Sequence, residues 1–252
     1  MTQISTDFSA ILLAAGIGRR LGQERPGPKV LLDFGGRTLL ARHLANLAAA
    51  GVRRLTIVVG FEAERLKAAV AELAPDFPVD FVVNPRFREG SAVSLAAAAA
   101  TLRAGDATVL MDGDVLYDER MHARLLGASP ENVMLVDWNI EPGDEPVKIC
   151  FDAAGTIVDF RKQPEHPHVR HGESVGFFRF SPATSLDLAD RVEAYAADDR
   201  ARLEYEEAIR DLLLAEPHRF GAEDVSDLPW TEIDFPEDVA RAREEILPQL
   251  AQ

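Results

Sequence analysis

Phe8-Ser-Ala-Ile-Leu-Leu-Ala-Ala-Gly16-Ile-Gly18-Arg19-Arg20-Leu21-Gly22 is the stretch on which the reading of the chain turns. Its apolar run fits a buried strand, and the glycines that follow supply the backbone freedom of a tight, ligand-approaching loop. Helical periodicity then runs from Thr38 to Ala50. Working outward, Leu55-Thr-Ile-Val-Val-Gly60 reads as a second buried strand, and Ala63 to Leu73 as an amphipathic helix with charges at Glu64, Lys67 and Glu72. Phe81-Val-Val is a third strand. A helix over Ser91 to Arg103 leads to a fourth, Ala107-Thr-Val-Leu-Met, which ends in Asp112-Gly-Asp114. Strands alternating with helices predict an α/β fold whose ligands lie beyond the carboxyl ends of the strands.

After about residue 130 the pattern changes. Val133-Met-Leu-Val-Asp137, Val147-Lys148-Ile-Cys150-Phe, Thr156-Ile-Val-Asp-Phe160 and Ser174-Val-Gly-Phe-Phe-Arg-Phe180 read as strands of a smaller antiparallel part, with Asp152-Ala-Ala-Gly155 as a hairpin turn. Helices are predicted over Thr184 to Ala196, Leu203 to Leu214 and Pro236 to Ile246. With no repeat and no linker, residues 1–252 read as one domain with a mostly parallel mixed sheet flanked by helices. Residues 1–130 form a nucleotide-binding half, 131–235 an acceptor-binding half and 236–252 a C-terminal helix.

Composition narrows the function. The 252 residues are 47% hydrophobic and 27% charged, enough apolar material for a sizeable core. A formal net charge of −15 repels polyanions, which excludes nucleic acid and anionic membranes as expected partners. The excess is concentrated: residues 171–252 hold 20 acids against 8 bases, either a solvated face or the surroundings of a cationic ligand. The single cysteine, Cys150, forms no internal disulfide and fits a reducing cytoplasm. Met1 to Asp7 carries no basic segment, and Ile11 to Ala15 is too short for a signal or spanning helix.

Gly16-Ile-Gly18 after a strand opens like a dinucleotide fingerprint, but Leu21 stands where the third glycine belongs. Arg19 and Arg20 follow the loop, and Pro28-Lys29 comes shortly afterwards; fixed cations on both sides suit a triphosphate better than a pyrophosphate bridge. Leu13-Ala14-Ala15-Gly16-Ile-Gly18-Arg19 with Pro28-Lys29 resembles the signature of the nucleotidyltransferases that build sugar nucleotides and CDP-alcohols. That resemblance implies a single Rossmann-like nucleotidyltransferase domain in which Leu13, Ala14, Ala15, Gly16, Gly18 and Arg19 wrap the nucleotide and Lys29 reaches its phosphates. The chain has only four lysines, Lys29, Lys67, Lys148 and Lys162, so each one off a helix surface is a functional candidate.

Asp112-Gly-Asp114 closes an apolar strand where side chains point into the ligand crevice, although Asp-Gly also favours a plain turn. Asp234, in Trp230-Thr-Glu-Ile-Asp-Phe-Pro-Glu-Asp, is a second carboxylate candidate and equally a cap for the last helix. The resemblance implies that Asp114 and Asp234 bind Mg²⁺ together, with Asp112 beside the nucleotide; two carboxylates and an α-phosphate oxygen make a hard-oxygen site of the kind Mg²⁺ takes. A phosphate or phosphonate acceptor is largely ionised at neutral pH and needs no catalytic histidine. His43 reads as a helix residue and His166, His168 and His171 as part of a polar loop.

Asn84-Pro-Arg-Phe-Arg-Glu-Gly90-Ser91-Ala-Val-Ser94-Leu95 is similar to bacterial choline-phosphate and 2-aminoethylphosphonate cytidylyltransferases. The likeness continues through Val147-Lys148-Ile, Gly172-Glu173-Ser-Val-Gly176, Leu203-Glu-Tyr205-Glu206 and Trp230-Thr-Glu-Ile-Asp234. It implies base recognition near Asn84, Gly90 and Ser91, CTP as donor and catalytic roles for Arg19, Lys29 and Lys148. An amine is held by aromatic faces and carboxylates, which makes Asp137, Trp138, Glu173, Tyr205, Glu206 and Trp230 the acceptor candidates, with Lys148 on its phosphoryl group; the aromatics equally suit a core. The expected reaction is CMP transfer from CTP to phosphocholine, phosphoethanolamine or 2-aminoethylphosphonate, by a monomer or homodimer. Transfer to a sugar-1-phosphate or inositol-1-phosphate is the alternative within the superfamily, and an NAD-binding oxidoreductase the alternative outside it.

Overall fold

The computed structural model describes residues 8–22, 27–74, 76–140 and 145–250, so the expectation for Met1 to Asp7 lies outside the described residues. From strand β1 (Phe8–Ala14) the chain passes the glycine loop to a short hairpin, β2 (Asp33–Phe34) and β3 (Arg37–Thr38), and enters helix α1 (Leu39–Ala49). Next come β4 (Arg54–Val59), α2 (Ala63–Leu73), β5 (Val79–Val83), α3 (Ser91–Ala97), α4 (Ala99–Leu102) and β6 (Ala107–Asp112). They are followed by β7 (Val115–Tyr117), α5 (Arg120–Gly127), β8 (Asn132–Asp137), β9 (Lys148–Phe151), β10 (Ile157–Arg161) and the long β11 (Arg170–Phe180). The last elements are α6 (Pro182–Ala197), α7 (Tyr205–Ala215), β12 (Phe220–Asp224), β13 (Trp230–Glu232) and α8 (Pro236–Arg241).

The main sheet has the order β10-β9-β11-β6-β1-β4-β5, with β8 paired to β11 and β12 to β8. Strands β6, β1, β4 and β5 run parallel. β11 is antiparallel to β6, β8 and β9 and so joins the parallel part to the antiparallel part within one sheet. Its pairing with β8 slips between Ser174 and Phe178, where Gly176 has a φ of +77°. A side chain at Gly176 would run into the Asp112 carboxylate, so the glycine permits both the bend and the close approach.

β1 is buried on both faces, which is why it reads as continuous apolar sequence. Ala10 and Leu12 point into a core with Leu40, Leu44 and Leu66, whereas Ile11 points into another with Leu95, Leu188 and Ile209. Thr38 caps α1 by accepting the Ala41 amide at 3.1 Å, and Ser181 caps α6 by accepting that of Thr184. Against the first core lies an aromatic group of His43, Tyr117, His122 and Phe177. Burial pushes both imidazoles down to about 4, so they sit in the core uncharged.

Several expectations shift. The helix over Ser91 to Arg103 is two helices, because Ala98 leaves the α conformation (φ −90°, ψ 13°) and bonds back to Leu95. The last helix stays α-helical only to Arg241 and then widens into a π turn over Ala242–Ile246. The β7–β13 pair, helix α5 and strand β12 are additions; β7 and β13 have only three residues each, too few to show a period. Among the described residues no helix is long and apolar enough to cross a membrane.

Candidate active site

The site begins where β1 and β6 end. Gly113 donates its N–H to the Leu13 carbonyl at 3.0 Å, and a side chain there would strike that oxygen, so glycine is required between the two aspartates. The chain then turns into β7, whose Val115 pairs with Glu232 of β13, and Ile233 donates to the Asp114 carbonyl at 2.9 Å. This short ladder brings the carboxylates of Asp114, Glu232 and Asp234 within 4.8 Å of one another. Asp234 is steadied in turn by Asp238, which accepts the Asp234 amide at 2.9 Å and the Phe235 amide at 2.7 Å.

Two cations meet the cluster. Lys29, in a 3₁₀ turn after Pro28, donates to Asp114 at 2.7 Å and also to Asp234. Arg20 donates to Asp234 and to Glu145, each at 3.1 Å, and its guanidinium lies over the Phe235 ring. Burial alone would lower the Lys29 pKa, but Asp114 and Asp234 hold it raised, so the ammonium stays charged. Burial would likewise raise Asp234, yet Lys29 and Arg20 keep it below its ordinary value. Glu232 is pushed up, by the desolvation of its crowded surroundings first and then by Asp114, Asp234 and Asp112, although its side chain keeps contact with solvent. Three hard oxygen donors, one of them disfavoured as an anion without a nearby cation, fit a divalent metal of the Mg²⁺ type.

A cavity of about 590 Å³ opens beside these groups, with Asp137, Glu173, Glu204, Glu206 and Trp230 among its walls. Among the described residues eleven acidic side chains line it against three basic ones, so it favours a ligand that brings positive charge. Trp230 donates its indole N–H to Asp137 at 2.8 Å, and the Tyr205 hydroxyl donates to Asp112 at 2.7 Å. Asp112 is pushed well above the carboxylate range by burial and by Glu206 and Asp114, which suits a neutral carboxyl locked between Tyr205 and Gly176. Glu206 is pushed up to about 8 by burial and by Glu204 and Glu232. Its Oε2 is buried with no hydrogen-bond partner among the described residues.

Leu13, Ala14 and Ala15 sit where β1 ends, next to Gly16 and Gly18, and Gly18 takes the left-handed conformation (φ 63°) that starts the Arg19–Leu21 turn. Arg19 is exposed on that turn, and it is its neighbour Arg20 that reaches the carboxylates. Asn84, Gly90 and Ser91 form a joint. Asn84 is buried and donates to Ser94 at 3.0 Å, while Gly90 lies so close to the Leu203 carbonyl that no side chain fits. Ser91 donates to Glu204 at 2.5 Å and accepts the Tyr205 amide at 2.9 Å, at the edge of the cavity.

The cavity walls do not include two expected acceptor contacts. The Lys148 ammonium is drawn to the Lys162 carbonyl at 2.8 Å and the Pro146 carbonyl at 3.4 Å. Trp138 packs on Phe151 and is covered by the Arg170 guanidinium, 4.3 Å from its ring, so that face is taken. The lysine facing the cavity is Lys162, which pairs with Glu145 at 3.1 Å. Sequence reasoning also passed over Glu232, which reaches the cluster through the pairing of β13 with β7 and which no local pattern marks.

A mostly parallel sheet that ends in a glycine loop, with a lysine clasped by aspartates from two later segments, defines a nucleotidyltransferase fold. Residues 10–202 match the family described as "MobA-like NTP transferase domain", and the chain belongs to that family. It is 30% identical over 246 residues to "CMP-5'-(3-aminopropyl)phosphonate synthase" of Streptomyces rubellomurinus, covering 92% of this chain and 38% of that protein. It is 29% identical over 243 residues to "Bifunctional IPC transferase and DIPP synthase" of Rubrobacter xylanophilus, covering 94% and 52%. The chain thus spans about two fifths of the first relative and half of the second. In fold it is similar to the inositol-1-phosphate CTP transferase of T. maritima, with a TM-score of 0.75, 19% identity and coverage of 98% and 99%. The CTP:phosphocholine cytidylyltransferase of Streptococcus pneumoniae gives a TM-score of 0.73 at 17% identity, covering 94% and 98%.

Proposed function

We propose that the chain, as a single domain, transfers CMP from CTP to a small phosphorylated or phosphonylated amino-alcohol with Mg²⁺ as cofactor, releasing pyrophosphate. The observation that carries this reading is the acid-lined cavity beside the Asp114–Glu232–Asp234 cluster, in which Oε2 of Glu206 is buried with no hydrogen-bond partner among the described residues. A phosphoryl group delivered to the cluster with an ammonium in the cavity would satisfy both. The relative from Streptomyces rubellomurinus, named for a CMP-aminoalkylphosphonate, supports the same acceptor class.

In the reaction an oxygen of the acceptor's phosphate or phosphonate attacks the α-phosphorus of CTP. That P–O bond forms as the bond to the β-phosphate breaks, and pyrophosphate leaves with the electron pair. The acceptor oxygen is already ionised, so the protein moves no proton. Asp114, Glu232 and Asp234 would hold Mg²⁺, which neutralises charge building on the transferring phosphate. Lys29 and Arg20 bring fixed positive charge to the phosphates, and the glycine loop offers its backbone amides. Trp230, fixed by Asp137, presents an aromatic wall to the acceptor's cation, and Glu206 a carboxylate.

Pyrophosphate release, with CTP, UTP, GTP and ATP each crossed with phosphocholine, phosphoethanolamine, 2-aminoethylphosphonate, inositol-1-phosphate and glucose-1-phosphate, tests the proposal. CTP with an amine acceptor is the expected pair. Asp114→Asn and Asp234→Asn should each abolish Mg²⁺-dependent turnover in a folded protein, and activity in both would overturn the reading. The likeness to an inositol-1-phosphate CTP transferase favours a second reading, transfer to inositol-1-phosphate, and turnover with that acceptor alone would select it.

A further inference from the structure

His43 on α1 is fully buried, and its Nε2 lies 3.1 Å from the carbonyl oxygen of Gly113, the residue between the two aspartates. A carbonyl only accepts, so Nε2 carries the proton and the ring donates. Nδ1 is then a buried acceptor, and it has no partner among the described residues. An imidazole that leaves one nitrogen unsatisfied is a costly occupant of an apolar core, and an aliphatic residue would pack there without that cost. The bond from Nε2 is what the imidazole supplies in return.

That bond completes the restraint on the turn. Gly113 gives its N–H to Leu13 on β1 and its carbonyl to His43 on α1, so both of its polar groups are tied to elements outside the turn. The next peptide unit carries the Cα of Asp114, whose own carbonyl accepts from Ile233 beside Asp234. The imidazole is itself held: Tyr117 lies against it at 5.3 Å between ring centroids, and the Tyr117 hydroxyl is bonded to His122 at 2.9 Å.

We propose that His43 is a positioning residue: its Nε2–H fixes the Gly113 carbonyl and so sets the direction in which Asp114 presents its carboxylate to the metal. The inference rests on the metal-binding reading of Asp114. Without the donor the Gly113 carbonyl is left buried and unpaired, the peptide rotates to find a partner, and Asp114 turns with it away from Glu232 and Asp234.

The test is Mn²⁺ binding to the CTP complex, followed by electron paramagnetic resonance, with steady-state kinetics in parallel. His43→Leu should weaken Mn²⁺ by about tenfold or more, the range seen when a ligand loses its supporting hydrogen bond. It should lower kcat at saturating CTP and leave the acceptor KM unchanged. His43→Gln, whose amide nitrogen reaches the Nε2 position, should restore Mn²⁺ affinity to within about threefold of wild type. His122→Leu, a comparable truncation in the same aromatic group with no bond to Gly113, should lose thermal stability and keep Mn²⁺ affinity. If His43→Leu does not fold, His43→Asn, whose amide stops short of Gly113, takes its place. Wild-type Mn²⁺ affinity in the leucine or asparagine variant, or equal losses at His43 and His122, would overturn the role of His43. A wild-type protein that binds no Mn²⁺ with CTP would overturn the metal reading itself, and the role of His43 with it.

Discussion

Lys29 and Asp114 lie 85 residues apart in the chain and form an ion pair of 2.7 Å. The pair joins the loop after β1 to the turn after β6, and through Asp234 it also reaches the segment after β13. Lys29 is thus the cation on which three remote pieces of the site converge.

Lys29→Met removes the charge and keeps the length of the side chain. Asp114, Glu232 and Asp234 then face one another without it, and the transferring phosphate loses a fixed positive charge. Turnover at saturating Mg²⁺ should fall by about 10²-fold or more, the scale of losing one preorganised electrostatic contact. Melting in metal-free buffer should also drop, and Mg²⁺ should recover more of the loss in the variant than in wild type, since a bound cation stabilises the state that binds it. Differential scanning fluorimetry with and without Mg²⁺ checks this, and equal Mg²⁺ shifts in the two proteins would contradict it.

Glu206 supplies a pH test of the acceptor site. Its carboxyl is held at about 8, so at neutral pH it is mostly protonated. An ammonium bound beside it favours the ionised form, and binding therefore releases a proton. Acceptor KM should fall as pH rises from about 6.5, above the second pKa of a phosphomonoester, to about 8, and then level off. Glu206→Gln should raise KM and flatten that dependence. A variant whose KM keeps the wild-type pH profile would remove Glu206 from the acceptor site.

The parallel half of the fold was legible in the sequence because its strands are buried on both faces and its helices carry a regular apolar stripe, as in Leu39, Leu40, Leu44 and Leu47. Lys29, Asp114 and Asp234 were legible through a motif, and the structure brings them together. Side-chain direction was not legible. Lys148 opens a strand and Lys162 follows one, and only the fold decides which ammonium turns to the cavity and which to backbone carbonyls. The Trp138 ring suits a cation by its type alone, but Arg170, thirty-odd residues later, already covers it. Glu232 was hidden because β13 exists only by pairing with β7, a contact between short segments that local sequence does not record.

The buried imidazoles make stability fall in mild acid. His122 has a folded pKa of about 4 against an ordinary 6.5, so between those values the unfolded chain takes up a proton that the folded protein refuses. Its contribution is complete above about pH 6.5 and is lost as pH falls toward 4, at a slope of at most about 1.4 kcal/mol per pH unit. His122→Gln keeps a partner for the Tyr117 hydroxyl and has nothing to titrate. Urea unfolding from pH 4.5 to 7 should show the gap between wild type and variant closing or reversing as pH falls. Parallel curves would show that His122 titrates alike in both states.

Asp159 tests the frame behind Lys162. It is fully buried in β10, receives the Arg210 guanidinium at 2.5 Å, and accepts the amides of Glu165 at 2.6 Å and His166 at 2.9 Å. Burial alone would raise its pKa, but these donors hold it well below the ordinary carboxylate range. Asp159→Asn leaves Arg210 with Glu165 at 3.2 Å and a longer contact to Glu207. The loss should be about 3 kcal/mol, the scale of breaking a buried pair from one side, or roughly 6–12 °C in Tm for a chain of this size. Glu165→Gln, at an exposed partner, should change stability by less than about 0.5 kcal/mol. The wild-type advantage over Asp159→Asn is complete above the ordinary carboxylate pKa and should shrink as pH falls toward the lower folded value. Because the loop after β10 carries Lys162, acceptor KM should rise more than kcat falls, whereas an unchanged KM would mean that the Asp159–Arg210 pair stabilises the fold without setting the cavity wall.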